Sequence, residues 1–123
     1  MELESILLPG IEAKRPIVIA GPCSAETEEQ VMDTAKQLAA KGQKIYRAGI
    51  WKPRTKPGGF EGIGVEGLAW LERGKERKQE CNVSTEVATA KHVYEMSEAG
   101  IDILWVGART TANPFAVQES LMR

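Results

Sequence analysis

Four times along this chain a short apolar run is followed, across a turn, by a stretch with helical spacing, and this alternation constrains the fold more than any other feature. The first unit is "RPIVIAGPCS", which reads as a buried strand over Ile17 to Ala20 punctuated by Gly21 and Pro22. "TEEQVMDTAKQLAAKG" follows, with Val31, Ala35, Leu38 and Ala39 at helical spacing, a capping-box pattern at Thr27 and Gln30, and Gly42 at the C′ position. "QKIYRAGI" is the second strand, and a helix is predicted from Val65 through Lys78 with Leu68 and Leu71 on one side. "NVSTEV" and "ATAKHVYEMSEAG", ending at Gly100, form the third unit. The fourth is "IDILWVGA" with "ANPFAVQESLMR", where Asn113 is the N-cap and Pro114 the first helical residue. Such a βαβα order predicts an α/β fold with a parallel sheet and helices packed outside it.

The chemically loaded residues come after each strand: Cys23, then Arg47 to Thr55, then Thr85 and Glu86, then Arg109. In open α/β sheets and (β/α)8 barrels ligands bind at that end, where loops and helix N-termini converge. "RAGIWKPRTKPGGF" concentrates Arg47, Lys52, Arg54 and Lys56 in a chain whose formal net charge is -1. That balance excludes the broad basic face of a nucleic-acid binder. It leaves two readings of the loop, a cradle for a small anion or a solvated basic turn; Arg and Lys both suit phosphate and carboxylate. Arg109 follows an apolar strand, where a cation usually has an anion to meet. Cys23 reads either as a small buried side chain or as a ligand, and Glu86 either as a group in a barrel mouth or as a strand terminus. His92, the single histidine, reads as a mid-helix residue of the third helix among Lys91 and Glu95, and Trp51, Trp70 and Trp105 read as packing residues, Trp51 being the one placed to line a pocket.

A chain of 123 residues fits one domain over 1–123. Glu2 and Glu4 oppose a secretory signal, and no apolar run approaches the roughly 20 residues of a membrane span, so a cytoplasmic location is expected. Cys23 and Cys81 are too few for a disulfide framework. "GFEGIGVEG" lacks the strand-to-helix placement of a dinucleotide fingerprint, and "ERGKERKQE" reads as a solvated helix face.

Taken together, "GPCSAE", "YRAGIWKPRT…GGFEG", "STEVAT" and "DILWVGARTT", in this order and spacing, resemble 3-deoxy-D-arabino-heptulosonate 7-phosphate (DAHP) synthase. The likeness is to the microbial subgroup related to 3-deoxy-D-manno-octulosonate 8-phosphate synthase, which typically carries a "KANR"-like sequence in place of "KPRT". The resemblance implies a (β/α)8 barrel that condenses phosphoenolpyruvate with erythrose 4-phosphate, using a divalent metal such as Mn2+, Fe2+, Co2+ or Zn2+, in the first step of the shikimate pathway. It implies that Cys23 is a metal ligand, that Arg47, Lys52 and Arg109 hold phosphoenolpyruvate, that Pro53, Arg54 and Thr55 meet erythrose 4-phosphate, and that Lys52 and Glu86 act in catalysis, Glu86 by positioning water.

The resemblance also exposes a deficit. A (β/α)8 barrel needs about 250 residues, whereas four βα units correspond to its N-terminal half. The implied histidine, glutamate and aspartate that complete the metal site would come from later strands, so the site is incomplete here and the chain alone is expected to be inactive. A half barrel exposes strand edges and an apolar seam, so a self-associating, non-catalytic piece is the competing expectation, and a homo-oligomer is expected either way.

Overall fold

In the computed structural model the described residues are 4, 11, 16–52, 58, 60–76 and 82–122. The elements run α1 (Glu28–Ala40), β1 (Ile45–Arg47), α2 (Val65–Glu76), β2 (Asn82–Val87), α3 (Ala90–Glu98), β3 (Ile103–Val106), α4 (Ala108–Thr111) and α5 (Pro114–Leu121). The strands form a parallel sheet in the order β1-β2-β3, the arrangement that the βα alternation requires.

Register divides the sheet into two chemically different faces. Arg47 pairs with Ser84 and Ser84 with Ile103, while Glu86 pairs with Trp105. Because side chains alternate along a strand, Arg47, Ser84, Glu86, Ile103 and Trp105 share one face. Tyr46, Val83, Val87, Leu104 and Val106 occupy the other, where they pack in a core with Val31, Ala35, Leu71, Val93 and Met96 of the helices. The apolar layer thus lies between sheet and helices, and the polar face points away from it. All six residues of β2 are buried, as befits the central strand.

Helix boundaries follow from the caps anticipated in the sequence. Thr27 Oγ1 accepts from the Gln30 amide at 3.1 Å, and Gln30 Oε1 accepts from the Glu26 amide at 2.8 Å, a reciprocal start for α1. Gly42 and Gly100 stand at the C′ positions of α1 and α3 with φ of +79° and +73°, where an L side chain would be strained. Asn113 caps α5 by accepting from the Ala116 amide at 3.2 Å, with Pro114 at the helix start. No helix among the described residues is long and apolar enough to cross a membrane.

Two expectations change. The predicted first strand is reduced to a single parallel bridge, Ala20 to Tyr46, and Ile17, Val18 and Ile19 are exposed rather than buried. Among the described residues, backbone hydrogen bonds join this segment to β1 at Ala20, whose amide donates to the Ile45 carbonyl at 3.3 Å and whose carbonyl accepts from the Arg47 amide at 2.8 Å, and Ile17, Val18 and Ile19 are not part of the described core. The fourth predicted strand, observed as β3, is half-buried along its length, because it is the edge of the described sheet. Beyond it the short helix α4, which the apolar pattern did not announce, begins at Gly107, whose carbonyl accepts from both the amide and the hydroxyl of Thr111 at 2.9 Å.

Candidate active site

The C-terminal end of the sheet is built by backbone bonds that pin each chemically active residue. The Ala25 amide donates to the Gly49 carbonyl at 2.8 Å, holding the Cys23 turn against the chain that leaves β1. Thr85 Oγ1 donates to the Ala48 carbonyl at 2.8 Å, and the Lys52 amide donates to the Glu61 carbonyl at 2.6 Å. The stretch from Ala48 to Lys52 is therefore anchored to β2 on one side and to the approach to α2 on the other.

On this frame Cys23, Lys52 and Glu86 converge. Lys52 Nζ donates to Glu86 Oε2 at 3.1 Å and to Cys23 Sγ at 3.3 Å. Lys52 and Glu86 are each only 8% exposed, so their charges are held out of water and each depends on the other. Cys23 itself is exposed. Its thiol titrates below its ordinary value, chiefly because Lys52 hydrogen-bonds the sulfur; partial burial opposes this, and the charges of Lys52 and Arg47 reinforce it.

Two glycines make this convergence sterically possible. A Cβ at Gly49 would stand 2.5 Å from the Cys23 carbonyl oxygen and 3.0 Å from Lys52 Cδ, so the lysine crosses residue 49 only because no side chain is there. A Cβ at Gly107 would fall 2.8 Å from Glu86 Cδ and nearer still to Oε1, so the carboxylate occupies the space that Gly107 leaves open.

Arg47 closes the other side. Its guanidinium lies 4.6 Å from the centroid of the Trp105 ring, within cation–π range, and its Nε is buried with no hydrogen-bond partner among the described residues. Arg109 sits on α4 at the same end of the sheet and is exposed, not buried with the strand that precedes it, because the chain has already turned outward at Gly107. Pro53, Arg54, Thr55 and Lys56 lie outside the described residues, as does Cys81.

His92 has a structural partner that its sequence context did not reveal. Its ring stacks on Trp51 with centroids 3.7 Å apart and planes within 6°. Nδ1 accepts from the Ala88 amide at 3.1 Å, and burial holds its pKa below the ordinary histidine value, against the opposing charge of Glu95. His92 is the third residue of α3 and so lies in its first turn, not in mid-helix.

Residues 9–120 match the DAHP synthetase I family. This chain belongs to that family. It is 40% identical over 96 residues to the phospho-2-dehydro-3-deoxyheptonate aldolase of Thermotoga maritima, an alignment that covers 78% of this chain and 28% of that protein. A crystal structure of the DAHP synthase of Thermotoga maritima superposes with a TM-score of 0.70 at 35% identity, covering 83% of this chain and 28% of the other. A truncated form of the 3-deoxy-D-arabino-heptulosonate 7-phosphate synthase of the same organism matches with a TM-score of 0.65 at 33% identity, covering 83% and 35%. The parallel strands and outer helices are thus part of a TIM barrel, and the chain spans about 28% of the length of the curated relative it matches.

Within that fold, the polar face bearing Arg47, Glu86 and Trp105 is the barrel interior. The cluster at its C-terminal end is where a barrel enzyme places its chemistry.

Proposed function

We propose that this chain forms the N-terminal part of the catalytic domain of a DAHP synthase, and that it supplies the anion seat and one metal ligand for condensing phosphoenolpyruvate with erythrose 4-phosphate. The observation that carries this reading is the buried Lys52 ammonium held between Cys23 Sγ and Glu86 Oε2 at the end of the sheet. An ammonium has three N–H donors, and two are committed here. The third serves a phosphate or carboxylate oxygen of phosphoenolpyruvate, beside the guanidinium of Arg47 stacked on Trp105. Arg109, at the same end, adds a further cation for that substrate, and Pro53, Arg54 and Thr55 form the seat for erythrose 4-phosphate.

The reaction joins C3 of phosphoenolpyruvate to the aldehyde carbon, adds water at C2 and releases inorganic phosphate. Preformed cations lower its barrier by stabilising charge without reorganising at the moment of reaction. Lys52 and Arg47 hold the enol phosphate, and Glu86, whose Oε2 is engaged by Lys52, uses Oε1 to orient the water for C2.

Cys23 fits a divalent-metal ligand, since its sulfur is exposed and its thiolate is favoured by Lys52. Among the described residues no group of three or more His, Cys, Asp or Glu could hold a metal, so the remaining ligands come from elsewhere. When bound, such an ion would act as a Lewis acid on the aldehyde carbonyl.

The test is consumption of phosphoenolpyruvate by the longer protein containing this sequence, with Mn2+ and either erythrose 4-phosphate or arabinose 5-phosphate. Turnover with the first sugar supports the reading; turnover with the second alone would assign an octulosonate 8-phosphate synthase instead. A second reading rests on two exposed apolar groups, Ile17, Val18 and Ile19 in the segment that leads to the bridge with β1, and Phe115, Leu121 and Met122 in and just after α5, which are suited to self-association into a homo-oligomer. Light scattering on the 123-residue chain tests it, and a monomer would count against it. A cytoplasmic location accompanies both readings.

A further inference from the structure

We propose that His92 is a positioning residue for the Lys52–Glu86 pair, its ring fastening the backbone just before Lys52 to the backbone just after Glu86. On one side the imidazole lies flat on the indole of Trp51, the residue preceding Lys52, at 3.7 Å between centroids. On the other, Nδ1 accepts from the amide of Ala88, two residues beyond Glu86, at 3.1 Å. The ring is itself placed by the start of α3, where the His92 amide donates to Thr89 Oγ1 at 3.2 Å.

These contacts form a closed circuit. The path runs from Glu86 along the chain to Ala88, across to His92, across to Trp51, and along the chain to Lys52, whose Nζ returns to Glu86 Oε2 at 3.1 Å. A histidine that merely filled space in the core could touch any neighbours. Here both attachments land within two residues of the two charged partners, so a displacement of the ring is transmitted to the lengths of Lys52–Glu86 and Lys52–Cys23.

Accepting the Ala88 N–H at Nδ1 also dictates the imidazole's state: the proton resides on Nε2 and the ring is neutral. The charged groups on its own helix are Lys91, Glu95 and Glu98, of which Lys91 and Glu95 pair with each other at 3.7 Å, and burial favours the same neutral form.

The inference rests on Lys52 and Glu86 as the working pair, so its test reads their geometry without turnover. In the 123-residue chain carrying Cys81→Ser, where Cys23 is the one remaining thiol, the rate of alkylation by iodoacetamide is measured at pH 7 with EDTA present. Cys23 is already exposed, so the rate reports how closely the Lys52 ammonium holds the sulfur. For a thiol that titrates above the assay pH, loosening Lys52 enough to raise its pKa by about one unit slows alkylation about threefold, because the thiolate fraction falls about tenfold while its nucleophilicity rises with pKa at a slope of roughly 0.5.

The expected results are a decrease of that size for His92→Ala and partial recovery for both His92→Phe, which keeps the stack, and His92→Asn, which keeps an acceptor near Nδ1. Lys52→Met sets the lower limit. Wild-type rates for His92→Ala with a slow Lys52→Met would overturn the proposal while leaving the site intact. A wild-type rate for Lys52→Met would instead refute the Lys52–Cys23 contact, and the proposal with it. Should His92→Ala fail to fold, wild-type reactivity in both His92→Phe and His92→Asn would be equally decisive against it. Because these 123 residues hold a single histidine, one pair of imidazole 15N resonances from the same chain completes the test, and a protonated Nδ1 at pH 7 would also overturn it.

Discussion

Replacing Gly107 with alanine should break the Lys52–Glu86 pair without touching either residue. Gly107 has φ of -73° and ψ of 163°, a conformation open to any amino acid, so the backbone imposes no penalty. The added methyl would lie 2.8 Å from Glu86 Cδ and closer to Oε1, well inside the roughly 3.5 Å of comfortable carbon contact, so the carboxylate must retreat by about 1 Å. The Lys52 Nζ to Glu86 Oε2 bond, 3.1 Å long, does not survive such a shift at full strength. A hydrogen bond between charged groups contributes about 1.5–3 kcal/mol net, and stiffening the unfolded chain by Gly→Ala returns about 0.4–1 kcal/mol. The balance is a loss of about 1–2 kcal/mol, a decrease in Tm on the order of 5 °C. Thermal unfolding followed by circular dichroism measures it, and a double-mutant cycle decides its cause. In a Glu86→Ala background the clash partner is gone, so Gly107→Ala should become neutral or slightly stabilising. An equal cost in both backgrounds would refute the reasoning.

Lys52→Met should destabilise more than the double variant Lys52→Met/Glu86→Leu, since the single change strands a buried carboxylate at a cost of about 3 kcal/mol; denaturant titration of the two at pH 7 checks this. Thr85→Val removes the hydroxyl that donates to the Ala48 carbonyl at 2.8 Å and should cost about 1 kcal/mol in the same titration. For His92, the folded pKa lies below the ordinary 6.5, so its contribution to stability is complete above about pH 6.5 and is lost as pH falls through the folded value. Wild type should therefore lose more Tm than His92→Phe between pH 7.5 and 5. Asn113→Ala removes the cap of α5 and should cost about 1 kcal/mol by thermal melt while leaving Cys23 alkylation unchanged.

How much of this was legible in the residues depends on the range of the interaction that fixed each feature. Caps are local, and Thr27, Gln30, Gly42, Gly100, Asn113 and Pro114 all perform the roles their spacing announced. The parallel order followed from alternation, and the C-terminal end of the sheet followed from where Cys23, Arg47, Lys52 and Glu86 stand in the chain. The apolar run Ile17 to Ile19 misled, because burial depends on what packs against a strand and not on its composition. Pairings at long sequence separation were also hidden: nothing local says that Lys52 meets both Cys23 and Glu86, or that Trp51 meets His92. One signal was available. Gly49 and Gly107 each lie within two residues of a strand end and two residues from an arginine, Arg47 and Arg109, where small size clears space for a long side chain.

Calorimetric titration of phosphoenolpyruvate into the longer protein containing this sequence asks directly whether the cations at this end of the barrel seat that compound. Binding should be saturable and should weaken at least about tenfold in both Lys52→Met and Arg47→Met, each of which removes a charge-assisted bond to the ligand. Unchanged affinity in both variants, with the fold retained, would contradict it.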